Sequence, residues 1–307
     1  LLPLSQLASQ FASPSPTRLF DKAARDLAAS GKPVLFFTLG EPNFPTPKNV
    51  KRAAVTALKE DFTHYTNYQG ISELRNAVCE KLKRDNNVVC TPEQILITVG
   101  AAEALFLTFQ CLLNKGDEVI FLTPCWPTFI SSAKTTGATP VIVQCDEENN
   151  FEPKIGDICA AITANTKAIV INSPSNPTGA MLSEKTIRAI TELCKEKNLW
   201  LVSDEIYEKI IYGSKHFSSA SVYENTVTIN GVSKAYSMTG WRIGYAAGPK
   251  HLIETMSAYS SIVVGNATSI SQKAALAALT GPQGSVNKMR KEFRKRRDLI
   301  VKLVNEV

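Results

Sequence analysis

Long apolar runs are missing from this sequence of 307 residues. No stretch approaches the roughly 18 consecutive apolar residues of a membrane-spanning helix, so a chain without such a helix is predicted. Histidine is scarce, with three residues, and no Cys-x-x-Cys pair is present, which argues against a bound metal ion. The seven cysteines are odd in number and fit no disulfide framework, so reduced thiols and a cytoplasmic location are expected.

Signatures of nucleotide binding and of organelle targeting are also missing or faint. Neither Gly-x-x-x-x-Gly-Lys-Ser/Thr nor Gly-x-Gly-x-x-Gly occurs. Residues 1–20 are rich in Ser and Pro, as transit segments are, but they carry a single Arg and no continuous apolar core. Because the first residue is Leu and not Met, a longer native start stays open.

Positive charge is concentrated in one place. The net charge of +6 is carried by KMRKEFRKRR (288–297), which has seven basic residues and one acidic residue, while the rest of the chain is neutral. This pattern predicts the solvated face of one late helix, with a phosphate-binding patch as the alternative. Because a basic helix alone is a weak signal, no nucleic-acid partner is predicted.

Short β-rich runs alternate with segments of helical spacing. Predicted strands cover 94–98, 118–122, 139–145, 167–172, 200–204, 226–230 and 243–248, and predicted helices cover 50–60, 72–84, 101–114, 128–136 and 183–198. Ser183 is suited to cap the last of these helices. The alternation predicts an α/β fold with helices on both faces of a mostly parallel central sheet. In such sheets the ligand crevice lies outside the carboxyl ends of the strands.

Several predicted strands are followed by residues suited to such a crevice. They are Gly100, Pro124-Cys125-Trp126, Ser173-Pro174-Ser175-Asn176, Asp204 and Lys234. The small residues at 100–102 open a helix whose free N–H groups suit an anion, and the alternative is a helix start that serves packing alone. Asn176 either offers its amide to the crevice or belongs only to a turn.

The later strand ends carry ionisable groups. Asp204 closes a buried strand and needs a cationic partner, such as a protonated ring nitrogen, unless it only caps the next segment. Tyr207 follows three residues later and would reach the same ligand. A lysine held in a crevice attacks carbonyl carbon, whereas the alternative for Lys234 is an ordinary surface position. Arg242 offers a planar fork for phosphate.

These groups together describe one ligand. A phosphate, a ring nitrogen that needs a carboxylate, a phenolic oxygen and an aldehyde would use all of them. Pyridoxal 5′-phosphate has these four features, so it is the predicted cofactor.

Six motifs, taken in order, resemble the class I and II pyridoxal-phosphate aminotransferases of fold type I, in their aspartate aminotransferase-like branch. They are LGEPNFPTP (39–47), HYTNYQGISELR (64–75), TVGAAEALF (98–106), NSPSNPTGA (172–180), VSDEIYE (202–208) and GVSKAYSMTGWRIGY (231–245). The resemblance runs from about Ser13 to the end of the chain. It implies reversible two-step transfer of an amino group from an L-amino acid, aspartate first, to a 2-oxo acid such as 2-oxoglutarate.

The resemblance also implies a role for each matching residue. Lys234 would join the cofactor as a Schiff base and then move the substrate proton. Asp204 would pair with the pyridinium nitrogen, and Tyr207 and Asn176 would hydrogen-bond the phenolic oxygen of the ring. Lys234, Asp204 and Tyr207 are therefore the predicted catalytic residues.

Further implied contacts concern the cofactor phosphate. Arg242 and the backbone at Gly100, Ala101 and Ala102 would hold it. Tyr65 would reach the phosphate bound to a neighbouring subunit, which implies a homodimer with shared active sites.

The substrate side is implied to involve Trp126, Asn176 and Gly40, with Trp126 also against the cofactor ring. Cys125 stands where many relatives carry an aromatic residue, and this difference either alters the expected pocket wall or is only a small-residue substitution. Relatives are also longer, and the additional part supplies the arginine for the substrate α-carboxylate. The expectation is therefore a truncated chain with an incomplete small domain, and no carboxylate-binding residue is named.

Three domain segments are expected on the same basis. They are an N-terminal arm with part of the small domain (1–45), a large cofactor-binding domain (46–282) and the start of a C-terminal small domain (283–307).

Other functions stay open. A pyridoxal-phosphate C–S β-lyase would use the same lysine and aspartate. An aminotransferase-like effector domain of a transcription regulator would need a winged-helix domain before it, for which residues 1–20 are too short, and a catalytically dead relative is a third alternative. The substrate is also open among aspartate, alanine, aromatic amino acids and prephenate, since a pocket discriminates apolar groups by only about 1–3 kcal/mol.

Overall fold

The computed structural model of the chain describes residues 16–306, together with the isolated positions 2, 5, 9 and 11. Ser13, where the resemblance was predicted to start, lies outside these residues, as does much of the Ser- and Pro-rich stretch 1–20. Among the described residues, no helix is long and apolar enough to cross a membrane.

Contacts divide the chain into two compact units, Leu1–Asn43 and Phe44–Val307. The first unit contains helix α1 (Pro16–Ala29), in which Arg25 pairs with Asp21 one turn earlier. The predicted domain boundaries after residues 45 and 282 stay predictions.

The second unit is built around one sheet with flanking helices. Within the described residues, its strands are β1 (Ile95–Thr98), β2 (Glu118–Thr123), β3 (Thr139–Gln144), β4 (Thr166–Asn172), β5 (Trp200–Asp204), β6 (Thr226–Gly231) and β7 (Gly244–Ala247). Its helices are α2 (Lys48–Lys59), α3 (Ser72–Asn86), α4 (Ala101–Leu112), α5 (Pro127–Lys134), α6 (Ile155–Ala160), α7 (Glu184–Lys197), α8 (Lys250–Val263), α9 (Ser269–Thr280) and α10 (Gly284–Asn305). The seven predicted strands and five predicted helices are confirmed, with ends that differ by at most two residues.

The strands lie in the order β1-β7-β6-β5-β4-β2-β3. The pairs among β2 to β6 are parallel, and β7 runs antiparallel to both of its neighbours, β1 and β6. The sheet is therefore mostly parallel, as predicted, with one reversed strand. Because β7 is reversed, its first residue lies at the same edge of the sheet as the last residues of the other six strands.

Both faces of the sheet are covered by helices. In β2, Val119 and Phe121 pack in a cluster with Phe109 of α4, while Ile120 packs in a different cluster with Ile190 of α7. This burial on two sides accounts for the continuous apolar runs that predicted the strands. The Ser183 side chain accepts the N–H of residue 186 at 3.2 Å and caps α7 as predicted.

Helix α10 carries the basic stretch 288–297. Most of its charged side chains are exposed, which agrees with the predicted solvated helix face. Two of the arginines stack on aromatic rings, Arg296 over Phe44 at 4.9 Å and Arg297 over Tyr212 at 4.7 Å.

Candidate active site

Asn172 joins two of the predicted site loops at the carboxyl edge of the sheet. It ends β4 and lies beside Asp204, the last residue of β5. Its Nδ2 donates to the Asp204 carbonyl oxygen at 3.0 Å, and its Oδ1 accepts the Asn176 N–H at 2.7 Å. Sequence reasoning missed Asn172, although a polar residue at the end of an apolar strand was a readable signal.

Asp204 is the most perturbed acid of the edge. It is 4% exposed, and its Oδ1 accepts the Ile206 N–H at 3.0 Å. Burial raises the pKa of its carboxyl from 3.8 to about 7, the Ile206 hydrogen bond lowers it, Glu205 adds to the rise, and the charge of Lys234 opposes it. A carboxyl this costly to ionise is suited to a cationic partner in the crevice.

Tyr207, Asn176 and Lys234 lie around this carboxyl. Lys234 is half-buried in the turn after β6, and its Nζ is 5.7 Å from the centroid of the Tyr207 ring. Burial, together with the charge of Asp204, raises the pKa of Tyr207 to about 12, although a hydrogen bond with the Asn176 side chain lowers it. The phenol therefore stays protonated and available as a donor at neutral pH. The structure thus brings four predicted residues together.

A phosphate cradle, defined here as Gly100–Ala102 with Arg242, forms at the start of α4. The first N–H groups of a helix have no acceptor within it, and they carry the positive end of its dipole. Arg242 donates from Nη1 to the Thr239 carbonyl at 2.9 Å and from Nη2 to the Val99 carbonyl at 3.3 Å. These bonds hold the guanidinium beside the helix start, as the sequence predicted.

Three glycines allow this close approach. Gly100 has φ of 81°, and a Cβ there would lie 2.5 Å from Arg242 Nη2. Gly231 and Gly244 pair across β6 and β7. A Cβ on Gly244 would lie 2.6 Å from the Ala101 nitrogen, so a larger residue would displace the first turn of α4.

The remaining predicted residues are Trp126, Cys125, Tyr65 and Gly40. Trp126 directly precedes α5 and packs edge-on against Phe129 at 5.5 Å. Cys125 is half-buried, and burial raises the pKa of its thiol to about 11. Tyr65 is 93% exposed, and Gly40 belongs to the first unit, where it is exposed. Their roles stay predictions.

A buried set of charged side chains behind Asp204 and Tyr207 was also missed. Glu205 and Glu208 are 1% and 7% exposed, although they flank the two predicted residues directly. The signal was present in DEIYE (204–208), where three acids follow a buried strand.

Comparison with known proteins decides the family. The sequence pattern of the family described as aminotransferase class I and II matches residues 32–307. The chain belongs to the class I and II aminotransferases. It is 45% identical over 300 residues to the aspartate aminotransferase of Bacillus subtilis (strain 168), covering 96% of this chain and 76% of that relative.

Two further relatives give the same result. The aspartate/prephenate aminotransferase of Thermus thermophilus is 43% identical over 296 residues, covering 95% of this chain and 77% of that relative. The solved structure of Thermus thermophilus aspartate aminotransferase with maleate matches this aminotransferase with a TM-score of 0.96 and 42% identity, covering 98% of this chain and 80% of that chain. The predicted family, fold class and enzyme class are therefore confirmed.

Proposed function

We propose that this aminotransferase moves the amino group of L-aspartate to a 2-oxo acid such as 2-oxoglutarate, with pyridoxal 5′-phosphate as cofactor. The names of the relatives support the donor. The observation that carries the proposal is a fully buried carboxyl, Asp204, with a pKa of about 7, beside an amine and a phenol at one sheet edge.

The donor set fits this cofactor at both of its ends. At one end, the phosphate cradle combines helix N–H groups with a guanidinium, and Gly100 leaves room that a Cβ would fill. At the other end, a ring cation would supply the partner that the Asp204 carboxyl needs in its buried position. Between its ring nitrogen and its phosphate the cofactor carries a phenolic oxygen and an aldehyde, for which Tyr207 and Lys234 would be the partners.

We assign the proton chemistry to Lys234. When bound, the cofactor supplies a carbonyl carbon and an electron-withdrawing ring. The Lys234 amine would hold that carbon, and, once displaced by the substrate amine, it would be the base that accepts the substrate Cα proton and donates it again. Asp204, held ionised by a cationic partner, keeps the ring nitrogen protonated.

Tyr207 and Asn176 are assigned to the phenolic oxygen of the cofactor as hydrogen-bond donors. The Tyr207 side chain hydrogen-bonds with the Asn176 side chain, and both would donate to the phenolic oxygen of the cofactor and stabilise its charge without giving up a proton. We further propose that Trp126, Asn176 and Gly40 line the substrate side, with Trp126 also against the ring.

We also propose a cytoplasmic homodimer with shared sites. The 93% exposure of the Tyr65 ring supports this, as does the exposure of Ile262 and Val263 at 84% and 57%. In a dimer, Tyr65 would donate to the phosphate of the other subunit. Light scattering in solution tests the dimer, and a monomer at micromolar concentration would contradict it.

The function is tested by absorption spectroscopy. Wild-type protein mixed with pyridoxal 5′-phosphate is expected to develop the visible band of a lysine-bound cofactor, and Lys234→Ala is expected to lack it while keeping its circular dichroism. L-aspartate should then convert the band to that of the amino form of the cofactor, and 2-oxoglutarate should restore it.

Each step can fail separately. Absence of the band in folded wild-type protein would refute the cofactor assignment. A band that responds to L-alanine or an aromatic amino acid, and not to L-aspartate, would refute the donor alone. Release of pyruvate and ammonia from a cysteine-type substrate, without amino transfer, would identify a lyase.

A further inference from the structure

A buried polar cluster lies directly behind the turn that carries Asp204 and Tyr207. We name it the Glu205 cluster, and it consists of Lys81, Asn86, Ser203, Glu205, Glu208, His216 and Ser218. Helix α3, the end of β5, the turn after it and the loop before residue 218 each contribute to it. The cluster therefore connects four separate segments to the turn.

Glu205 is surrounded by four donors. Ser218 and Ser203 donate to Oε1 at 2.7 and 3.1 Å. His216 Nε2 and Asn86 Nδ2 contact Oε2 at 2.9 and 3.1 Å. Two donors on each oxygen suit an ionised carboxylate, which only accepts. A carboxylate that is 1% exposed must have its charge compensated.

Glu208 has its own cation. Lys81 forms an ion pair with it at 3% and 6% side-chain exposure, and Asn86 donates to its Oε2 at 2.7 Å. The Lys81 ammonium also donates to Asn86 Oδ1 at 2.8 Å, which orients the amide toward both carboxylates. One ammonium therefore serves Glu208, and Glu205 needs another charge.

Three residues of the cluster have the side chains and the spacing of metal ligands. Ligand atoms of Glu205, Glu208 and His216 lie within 4.8 Å of one another. The Lys81 ammonium already contacts Glu208, however, and a divalent ion beside it would face an uncompensated repulsion. The remaining cation is therefore His216.

The surroundings of His216 act on its charge in opposite directions: its Nε2 contacts the Glu205 carboxylate, whereas its buried Nδ1 makes no hydrogen bond to the described residues. Its side chain is 7% exposed, and this burial lowers the pKa of the imidazole. The hydrogen bond with Glu205 and the negative charges of Glu205 and Glu208 outweigh the burial and raise the pKa above 6.5. The positive charge of Lys81 has a smaller, opposing effect. Tyr245 on β7, whose buried hydroxyl makes no hydrogen bond to the described residues, also faces these carboxylates.

We propose that His216 is a positioning residue of the active site: its imidazolium balances Glu205, and the pair holds the turn that carries Asp204 and Tyr207. The negative charge of Glu205 acts against ionisation of Asp204. A neutral residue at 216 would leave that charge uncompensated, and it would both loosen the turn and favour the protonated Asp204. This inference rests on the proposed function for the roles of Asp204 and Tyr207.

The charge of His216 is tested first, on the protein without cofactor. The sequence has three histidines, and the other two, His64 and His251, are exposed. Imidazole nitrogen chemical shifts, assigned with His216→Gln, should show a titration midpoint of His216 above the ordinary value of 6.5, with both ring nitrogens protonated below that midpoint. A midpoint at or below 6.5 would overturn the proposal.

The positioning role is tested by charge removal and rescue. His216→Gln should lower kcat roughly 10- to 100-fold with little change in KM, because the turn is misplaced and substrate contacts are not. Glu205→Gln combined with His216→Gln removes both charges, and it should recover most of kcat and of the urea stability lost in the single variant. His251→Gln, at an exposed histidine, is the matched control.

The outcomes separate the two claims. Additive losses in the double variant would mean that His216 only fills space, and they would overturn the proposal. Failure of wild-type protein to bind the cofactor would refute the proposed function, while the chemical shifts and the stability of the cofactor-free variants would still decide whether His216 compensates Glu205.

Discussion

Asp204→Asn is expected to stabilise the protein without cofactor while it disables the enzyme. The Asp204 carboxyl is 4% exposed, and burial is the largest cause of its raised pKa. Asn has nearly the same shape, and its Oδ1 can keep the bond from the Ile206 N–H, which is 3.0 Å long in the wild type. The substitution therefore removes a buried charge and little else.

The size of the expected stabilisation and the direction of its change with pH follow from the pKa of Asp204. A rise from 3.8 in the unfolded chain to about 7 in the folded protein corresponds to about 4 kcal/mol. Between these two values the folded protein binds more protons than the unfolded chain, so its stability falls as the pH rises, and the full cost is present above about pH 7. Asp204→Asn lacks this dependence, and its advantage should grow by about 3 kcal/mol between pH 5 and pH 8.

Urea unfolding of the cofactor-free proteins at pH 5 and pH 8 measures this difference. Asp61→Asn, at an exposed aspartate, is the matched control. Added pyridoxal 5′-phosphate should stabilise wild type far more than Asp204→Asn, since the variant cannot pair with the ring cation. If Asp204→Asn is more stable than wild type by the same amount at both pH values, burial of an ionised Asp204 is not the cause of the difference.

Two further substitutions test the surroundings of the site, and the order in which two thiols react tests the burial of Cys125. Gly100→Ala should weaken cofactor binding at least roughly tenfold, because a Cβ at φ of 81° would meet the guanidinium of the phosphate cradle. The control Gly116→Ala, at φ of 94° in open space, should bind the cofactor normally. Equal affinities of the two variants in a cofactor titration would count against the cradle. Tyr207→Phe should keep the fold and raise the pH midpoint of the visible cofactor band by roughly one unit, because a donor to the phenolic oxygen is lost; an unmoved midpoint would exclude that contact. Cys90 should react with iodoacetamide before Cys125. A hydrogen bond with a neighbouring thiol lowers the pKa of Cys90, whereas burial raises the pKa of Cys125 to about 11. Peptide mapping that finds the reverse order would contradict this prediction.

Strand positions were predictable because burial on both faces leaves continuous apolar runs, but strand direction was not. The segment at 243–248 has the same composition whether it runs parallel or antiparallel. In the structure β7 is reversed, and this reversal brings Arg242, just before it, to the edge where Gly100 follows β1. The contact of Arg242 with the cofactor phosphate was inferred from the resemblance, whereas the local sequence indicated only that its planar guanidinium suits a phosphate.

The residues of the candidate site that follow strands were predictable for a related reason. Asp204 and Lys234 stand directly after apolar runs, so the position of each at the sheet edge followed from the α/β pattern. Tyr65 and Gly40 were inferred from resemblance alone.

The Glu205 cluster was missed because its partners are distant in the sequence. Asn86 and Glu208 are 122 positions apart, and α3 appears as an ordinary polar helix in which Lys81 has no visible partner. Buried Asp204 needs a cation, and the same holds for Glu205 and Glu208, which follow the same buried strand. Charge balance for all three acids would have predicted three cations near the turn. Lys234 and Lys81 would then have been counted, and His216 is the cation that completes the balance.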